Sequence, residues 1–198
     1  MRILISAFAC LPNYGTESGN GWNWSSHLAG AGHEVHVLTR AVNRHRIEAW
    51  IGSNSEPNLC FTYVEVPFSW MFKYRDRGFY YIAWQICAFM NAYRLLRSTK
   101  IDLIHHVTYA SIHMLSLLCL LGIPTVFGPV GGGQTAPSSM LSMFGKSRWK
   151  ERMRTVQTRL LPYSPLHRFL LRRMSVVIAG NSDTCLLYTS DAADDLTR

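Results

Sequence analysis

Three short segments of this chain carry side chains or bare backbone suited to chemistry. The first, Tyr14-Gly15-Thr16-Glu17-Ser18-Gly19-Asn20-Gly21, lies between a strand-like apolar run at residues 2–8 and a helical stretch rich in Trp and Ala. Glycine keeps side chains away from the unpaired amides that open a helix, and such an N-terminus favours phosphate. The segment therefore predicts a nucleotide or sugar-phosphate site. The second is the pair His105-His106, near the end of another strand-like run. Alternation sends the two rings to opposite faces of a strand, so only one of them can look into a cleft. The third is Gly131-Gly132-Gly133 with Gln134 behind it, again just past a strand. Three residues without side chains let backbone approach a ligand closely.

These segments need a scaffold that brings strand ends together. Strand-like runs recur at residues 2–8, 33–39, 61–67, 101–107 and 122–127, with a strand-and-turn signal at 175–182 and helical patterns at 43–50, 79–93 and 111–121. That alternation predicts an α/β fold, a Rossmann-like parallel sheet with helices on both faces, whose ligands sit outside the carboxyl ends of the strands. Phe79, Ile82, Ala83, Ile86, Cys87, Met90 and Tyr93 fall at helical spacing and are expected in the core.

A chain of 198 residues, 48% of them hydrophobic, suits one compact domain. Its net charge of +8 favours anionic partners. The five cysteines are scattered with no metal-ligand spacing, so they read as reduced, mostly buried side chains, and no metal is expected. A strand follows Met1 directly, without a signal-peptide pattern. The apolar stretches at 79–93 and 111–127 are broken by Gln85 and Asn91, and by Gly122 and Pro124. Both fall short of the roughly 20 apolar residues that cross a bilayer.

Dinucleotide binding is disfavoured. Gly15, Gly19 and Gly21 do not fit G-x-G-x-x-G, Trp24 stands where a small residue is wanted, and the second strand ends in Leu38-Thr39-Arg40 without a carboxylate for ribose hydroxyls. Arg40 keeps NADP as a minor alternative.

Taken in order, Gly15 to Trp22, Gly32-His33-Glu34-Val35, Thr39-Arg40, Asp102 to Tyr109 and Gly128 to Gly133 resemble the N-terminal half of a retaining glycosyltransferase of family four. The resemblance covers residues 1 to about 183 and implies two Rossmann-like domains facing one cleft, the GT-B fold. It implies a sugar moved from a nucleotide-sugar donor to a cell-surface glycan or lipid-linked acceptor, with no separate cofactor. Gly15 and Thr16 match the loop that approaches the donor diphosphate. Glu17, Gly131, Gly132, Gly133 and Gln134 fall on the acceptor side, with Gln134 where a glutamate often stands. His106, or else His105, takes the place of the histidine near the reacting sugar. Most donor contacts belong to a C-terminal domain, so this chain alone is expected to be inactive.

Residues 146–173 hold nine Lys or Arg against one acid, Glu151. Such a run suits anionic lipid headgroups at the inner face of a cell membrane, or merely a solvated face. No nucleic-acid motif accompanies it. Residues 185–198 resemble a translated sequencing adapter, which would leave residues 1–184 as the domain proper. Two other readings stand beside the transferase: a non-catalytic basic module for anionic membranes or phosphorylated ligands, and the NADP-binding domain.

Overall fold

The computed structural model describes residues 1–54, 56–71 and 77–187. Six parallel strands form one sheet: β1 (Arg2–Ser6), β2 (Glu34–Arg40), β3 (Leu59–Val64), β4 (Leu103–His106), β5 (Thr125–Val130) and β6 (Val176–Ala179), in the order β3-β2-β1-β4-β5-β6. The winding reverses between β1 and β4, where Ile3 pairs with Leu103 and Ser6 with His106. This is the Rossmann-like arrangement, and the reversal opens a crevice at the carboxyl ends of those two strands.

β1 reads as a continuous apolar run because both its faces are covered. Ile3 and Ile5 pack with Trp22 and Ala29 of α1 (Thr16–Gly30) and Ile47 of α2 (Arg44–Ser53). Leu4 packs on the other face, under α3 (Arg77–Leu96). There Phe8 meets Tyr81 and Trp84 edge-on, with ring centroids 5.1 and 5.2 Å apart.

α3 turns a different face to the sheet than its spacing predicts. Of the expected core stripe, Phe79, Ile82, Ile86, Met90 and Tyr93 are exposed; only Ala83 and Cys87 lie on the packed side. The buried face carries Tyr81, Trp84, Gln85, Ala88 and Ala92. The helix is apolar around nearly its whole circumference, so periodicity alone cannot choose the packed face. The sheet takes the face with the larger aromatics, and Gln85 is accommodated there by two bonds. Its Nε2 donates to Leu115 O at 3.2 Å and its Oε1 accepts from Leu117 N at 3.1 Å.

Those bonds also shape the segment they reach. The α-helix expected over residues 111–121 is replaced by an antiparallel bridge between Ser111 and Met114 and a 3-10 turn at Leu117–Leu121. The Leu115 carbonyl, which a helix would use internally, is taken by Gln85. Ser116 Oγ caps the turn at Leu118 N, and Gly122, at φ 75°, ends it.

Beyond β5 the chain makes a 3-10 stretch (Ser138–Ser147), α4 (Arg148–Leu160) and α5 (Pro165–Arg172) before β6. After β6, residues 182–187 are helical, and Asn181 Oδ1 caps them by accepting from Thr184 N at 2.9 Å. Residues 188–198, most of the segment with the adapter resemblance, lie outside the described residues.

Candidate functional site

A cavity of about 610 Å³ opens at the crevice, lined among others by Glu17, Asn20, Tyr109, Ser111, Gly131 and Asn181. They come from four places at the carboxyl edge: Glu17 and Asn20 from the start of α1, Tyr109 and Ser111 from beyond β4, Gly131 from beyond β5, Asn181 from beyond β6.

Two sets of bonds fix this rim. Glu17 Oε1 accepts from the Tyr109 backbone N–H, tying α1 to the loop after β4. Gly131 N–H donates to Ala110 O at 3.2 Å while its carbonyl accepts from Ile112 N at 3.1 Å, zipping the β4 loop to the β5 loop. Tyr109 sits at φ 58°, an uncommon conformation for a residue with a side chain, and its ring lies 4.6 Å from Phe8.

The glycines of the first loop divide by what a side chain would meet. A Cβ on Gly21 would come within 2.2 Å of Ala9 O, and one on Gly19 within 2.6 Å of Tyr14 O. Those two are small so that α1 can lie on the loop after β1. A Cβ on Gly15 would touch nothing within 4 Å, and its φ of −59° is open to any residue. Gly15 caps α1 without any side-chain bond, and Gly15, Thr16 and Glu17 are exposed at the helix start. Of these three Glu17 lines the cavity; Gly15 and Thr16 stand outside its lining.

The second glycine segment is more committed to the fold. Gly132, at φ 99°, packs near Ser111 Oγ. A Cβ on Gly133 would lie 2.7 Å from Thr184 Cα, and its N–H donates to Thr184 Oγ1 at 3.2 Å. Gln134 is exposed, and its carbonyl accepts from Arg154 Nη1 at 2.8 Å. Of this segment Gly131 lines the cavity; Gly132, Gly133 and Gln134 do not.

His105 and His106 do turn to opposite faces, but neither ring lines the cavity. His105 packs edge-on to Trp24 at 4.8 Å, with Nε2 bonded to Gly128 O at 3.0 Å. Its pKa is lowered by burial, partly offset by that carbonyl. His106, expected to face the cleft, is instead fully buried on the α3 side. Its Nε2 is bonded to the Tyr81 hydroxyl at 2.9 Å, and its Nδ1 has no hydrogen-bond partner. Burial first, and the neighbouring His105 second, push its pKa down to about 3, with the nearby Thr108 backbone opposing. His106 is thus a neutral imidazole at physiological pH. It reaches the rim indirectly, since the Tyr81 hydroxyl also lies 3.4 Å from Tyr109 O.

Tyr109, Ser111, Asn20 and Asn181 escaped the sequence reading. For Tyr109, Ser111 and Asn181 a polar residue two to five places past a parallel strand was the available signal, because those places form the ligand edge; Asn20, inside α1, carried none. Arg40, at the end of β2, donates from Nε to Phe8 O at 3.0 Å with its guanidinium 4.3 Å from the Phe8 ring centroid. Among the described residues no group of three or more His, Cys, Asp or Glu gathers as a metal site, and no helix is long and apolar enough to cross a membrane.

A protein-family model described as Glycosyltransferase Family 4 matches residues 22–198, beginning just past the first glycine loop. No curated protein matches the chain.

Proposed function

From the membership of this chain in glycosyltransferase family 4, we propose that it is the acceptor-side domain of a retaining transferase. The sugar would pass from a nucleotide-sugar donor to a cell-surface glycan or lipid-linked acceptor, with a C-terminal donor-binding domain completing the cleft. The observation that carries this reading is the cavity at the strand-order reversal, with the uncapped start of α1 beside it. The open amides at Gly15 and Thr16 receive the donor diphosphate. As the sugar–phosphate bond breaks, that group gains negative charge, and the helix start stabilises it. The acceptor hydroxyl attacks the sugar from the same side and gives its proton to the departing phosphate oxygen. Glu17 and Gly131 shape the acceptor pocket. His106 serves as a positioning residue: it holds Tyr81, which supports the Tyr109 turn.

Calorimetric titration of the 198-residue chain with a panel of nucleotide sugars and with NADP tests this. Weak binding of at least one nucleotide sugar is expected, reduced at least fivefold in Glu17→Ala, which unties the Tyr109 turn. Binding of NADP in place of every nucleotide sugar would refute the reading.

A further part of the proposal concerns the membrane. α4 exposes Trp149, Met153, Val156 and Leu160 at helical spacing, with Arg148, Lys150, Arg152 and Arg159 exposed beside them. An apolar stripe edged by cations suits an anionic bilayer surface, where each Lys or Arg contributes about 1 kcal/mol. Co-sedimentation with anionic vesicles should fall as salt rises, and the Lys150→Glu/Arg152→Glu double variant should weaken it at least tenfold. Binding indifferent to lipid charge and salt would remove this part.

A further inference from the structure

The exposed stripe of α3 has a geometry of its own. From residue 79 to 93 the helix carries no charged residue, and its exposed side chains there are Phe79 (70%), Ile82 (45%), Ile86 (49%), Met90 (45%) and Tyr93 (58%). The opposite face is packed on the sheet through Tyr81, Trp84, Ala88 and Ala92, so the helix cannot roll to hide the stripe.

With side chains of this kind offering about 150–250 Å² each when large and aromatic, the stripe leaves roughly 500 Å² of apolar surface open. That lies at the upper end of what monomers expose, and such patches usually serve contact. It also approaches the roughly 800 Å² per partner of a standard interface, so the stripe can form the apolar centre with neighbouring residues as rim.

The spacing identifies the occupant. Counting from Ile86, the stripe runs four and seven residues in each direction, to Ile82 and Phe79 one way and to Met90 and Tyr93 the other. A two-fold axis through Ile86 lays Phe79 of one copy on Tyr93 of the other, Ile82 on Met90, and Ile86 on itself. Aromatic meets aromatic and aliphatic meets aliphatic, the self-complementarity that a two-fold interface requires. The 3-4-4-3 intervals are those of helices paired along a narrow seam. Charge points the same way. At a net charge of +8, copies of this chain repel one another over most approaches. The uncharged stretch from 79 to 93 lets two copies meet along it without opposing like charges, with the exposed Arg94 and Arg97 left at its rim.

We propose that the α3 stripe is a homodimer interface, with two copies of this chain packed antiparallel about Ile86. The inference stands apart from the transferase reading, since the stripe contributes nothing to the cavity.

Sedimentation velocity on the full chain tests it, in a Cys60→Ser/Cys185→Ser background because both thiols are exposed. A dimer is expected in the micromolar range. Ile86→Glu brings two carboxylates together on the axis and should weaken the dimer at least a hundredfold, while the circular-dichroism melt of the monomer stays unchanged because this side chain is already half exposed. Under mild oxidation Ile86→Cys should link to itself. Phe79→Cys should not, yet it should link when mixed with Tyr93→Cys. A chain that is monomeric throughout, an Ile86→Glu variant that still dimerises, or self-linking of Phe79→Cys would each overturn the proposal. So would a monomer that binds zwitterionic vesicles and loses them in Ile86→Glu, which would make a bilayer the occupant.

Discussion

Gly21→Ala, within α1, should cost this domain about 3 kcal/mol or more, whereas Gly15→Ala, at the cap six residues earlier, should change its stability by no more than about 0.5 kcal/mol. The contrast follows from what surrounds each position. A methyl group on Gly21 would stand 2.2 Å from Ala9 O and 3.1 Å from Ala7 Cβ, both in the segment leading out of β1. Neither contact can swing aside, because each belongs to backbone or to a Cβ. α1 would have to lift off the sheet, disturbing the Leu11 N to Ser18 O bond at 3.0 Å and the packing of Trp22. Against a total stability of 5–15 kcal/mol, that loss populates the unfolded state measurably. Gly15 meets nothing, so alanine there disturbs no contact. A bulkier Gly15→Val should nevertheless weaken nucleotide-sugar binding, because its branched side chain would occupy the space in front of the α1 amides. Urea unfolding checks the first pair and titration the second. Equal midpoints for the two alanine variants would show that the loop relaxes freely and that its glycines are not divided as described.

The same comparison shows which features a sequence exposes. The parallel sheet and its ligand edge follow from alternating apolar runs and turns, because a parallel sheet needs both its faces covered and leaves its loops at one end. The identity of the rim loops was legible for that reason. Which glycine is structural was not, since Gly15, Gly19 and Gly21 differ only in what approaches them from distant parts of the chain. The alternation of His105 and His106 was legible, and their opposite faces follow from strand geometry. Which ring would be sealed depended on Tyr81, 25 residues upstream, whose hydroxyl claims His106. α3 failed in a similar way. A helix apolar on all sides gives no phase, and the sheet selected the Tyr81–Trp84 face by the fit of those rings around Phe8. Residues 111–121 looked helical because they are apolar, but a glutamine from α3 captured the Leu115 carbonyl that a helix needed. Each miss involves a partner remote in sequence. Each success rests on a rule that neighbours in sequence obey.

Acid should unfold this domain well before its carboxylates are protonated, and His106 should be the main cause. In the folded chain its ring stays neutral until the pH approaches about 3; in the unfolded chain it takes up a proton near 6.5. Between those values the unfolded state binds more protons, so stability rises with pH across the window and is lost as pH falls from about 6.5 toward 3. The slope from this one group is about 1.4 kcal/mol per pH unit, fading near the lower limit. Burial lowers His105, His36 and His113 as well, and each acts in the same direction. Glu151, held below its usual value by Arg154, adds a loss only at lower pH, below about 4.5. Removing the ring alone would leave the Tyr81 hydroxyl short of its close partner, so the decisive variant is the pair His106→Phe/Tyr81→Phe. Its urea midpoint should change with pH less steeply than the parent's between pH 6 and 4, by about 1 kcal/mol per unit. An unaltered slope would assign the acid sensitivity to other groups and show that His106 accepts a proton without unfolding. It would then be available for proton transfer after all, and the role of a neutral support for Tyr81 and the Tyr109 turn would have to be abandoned.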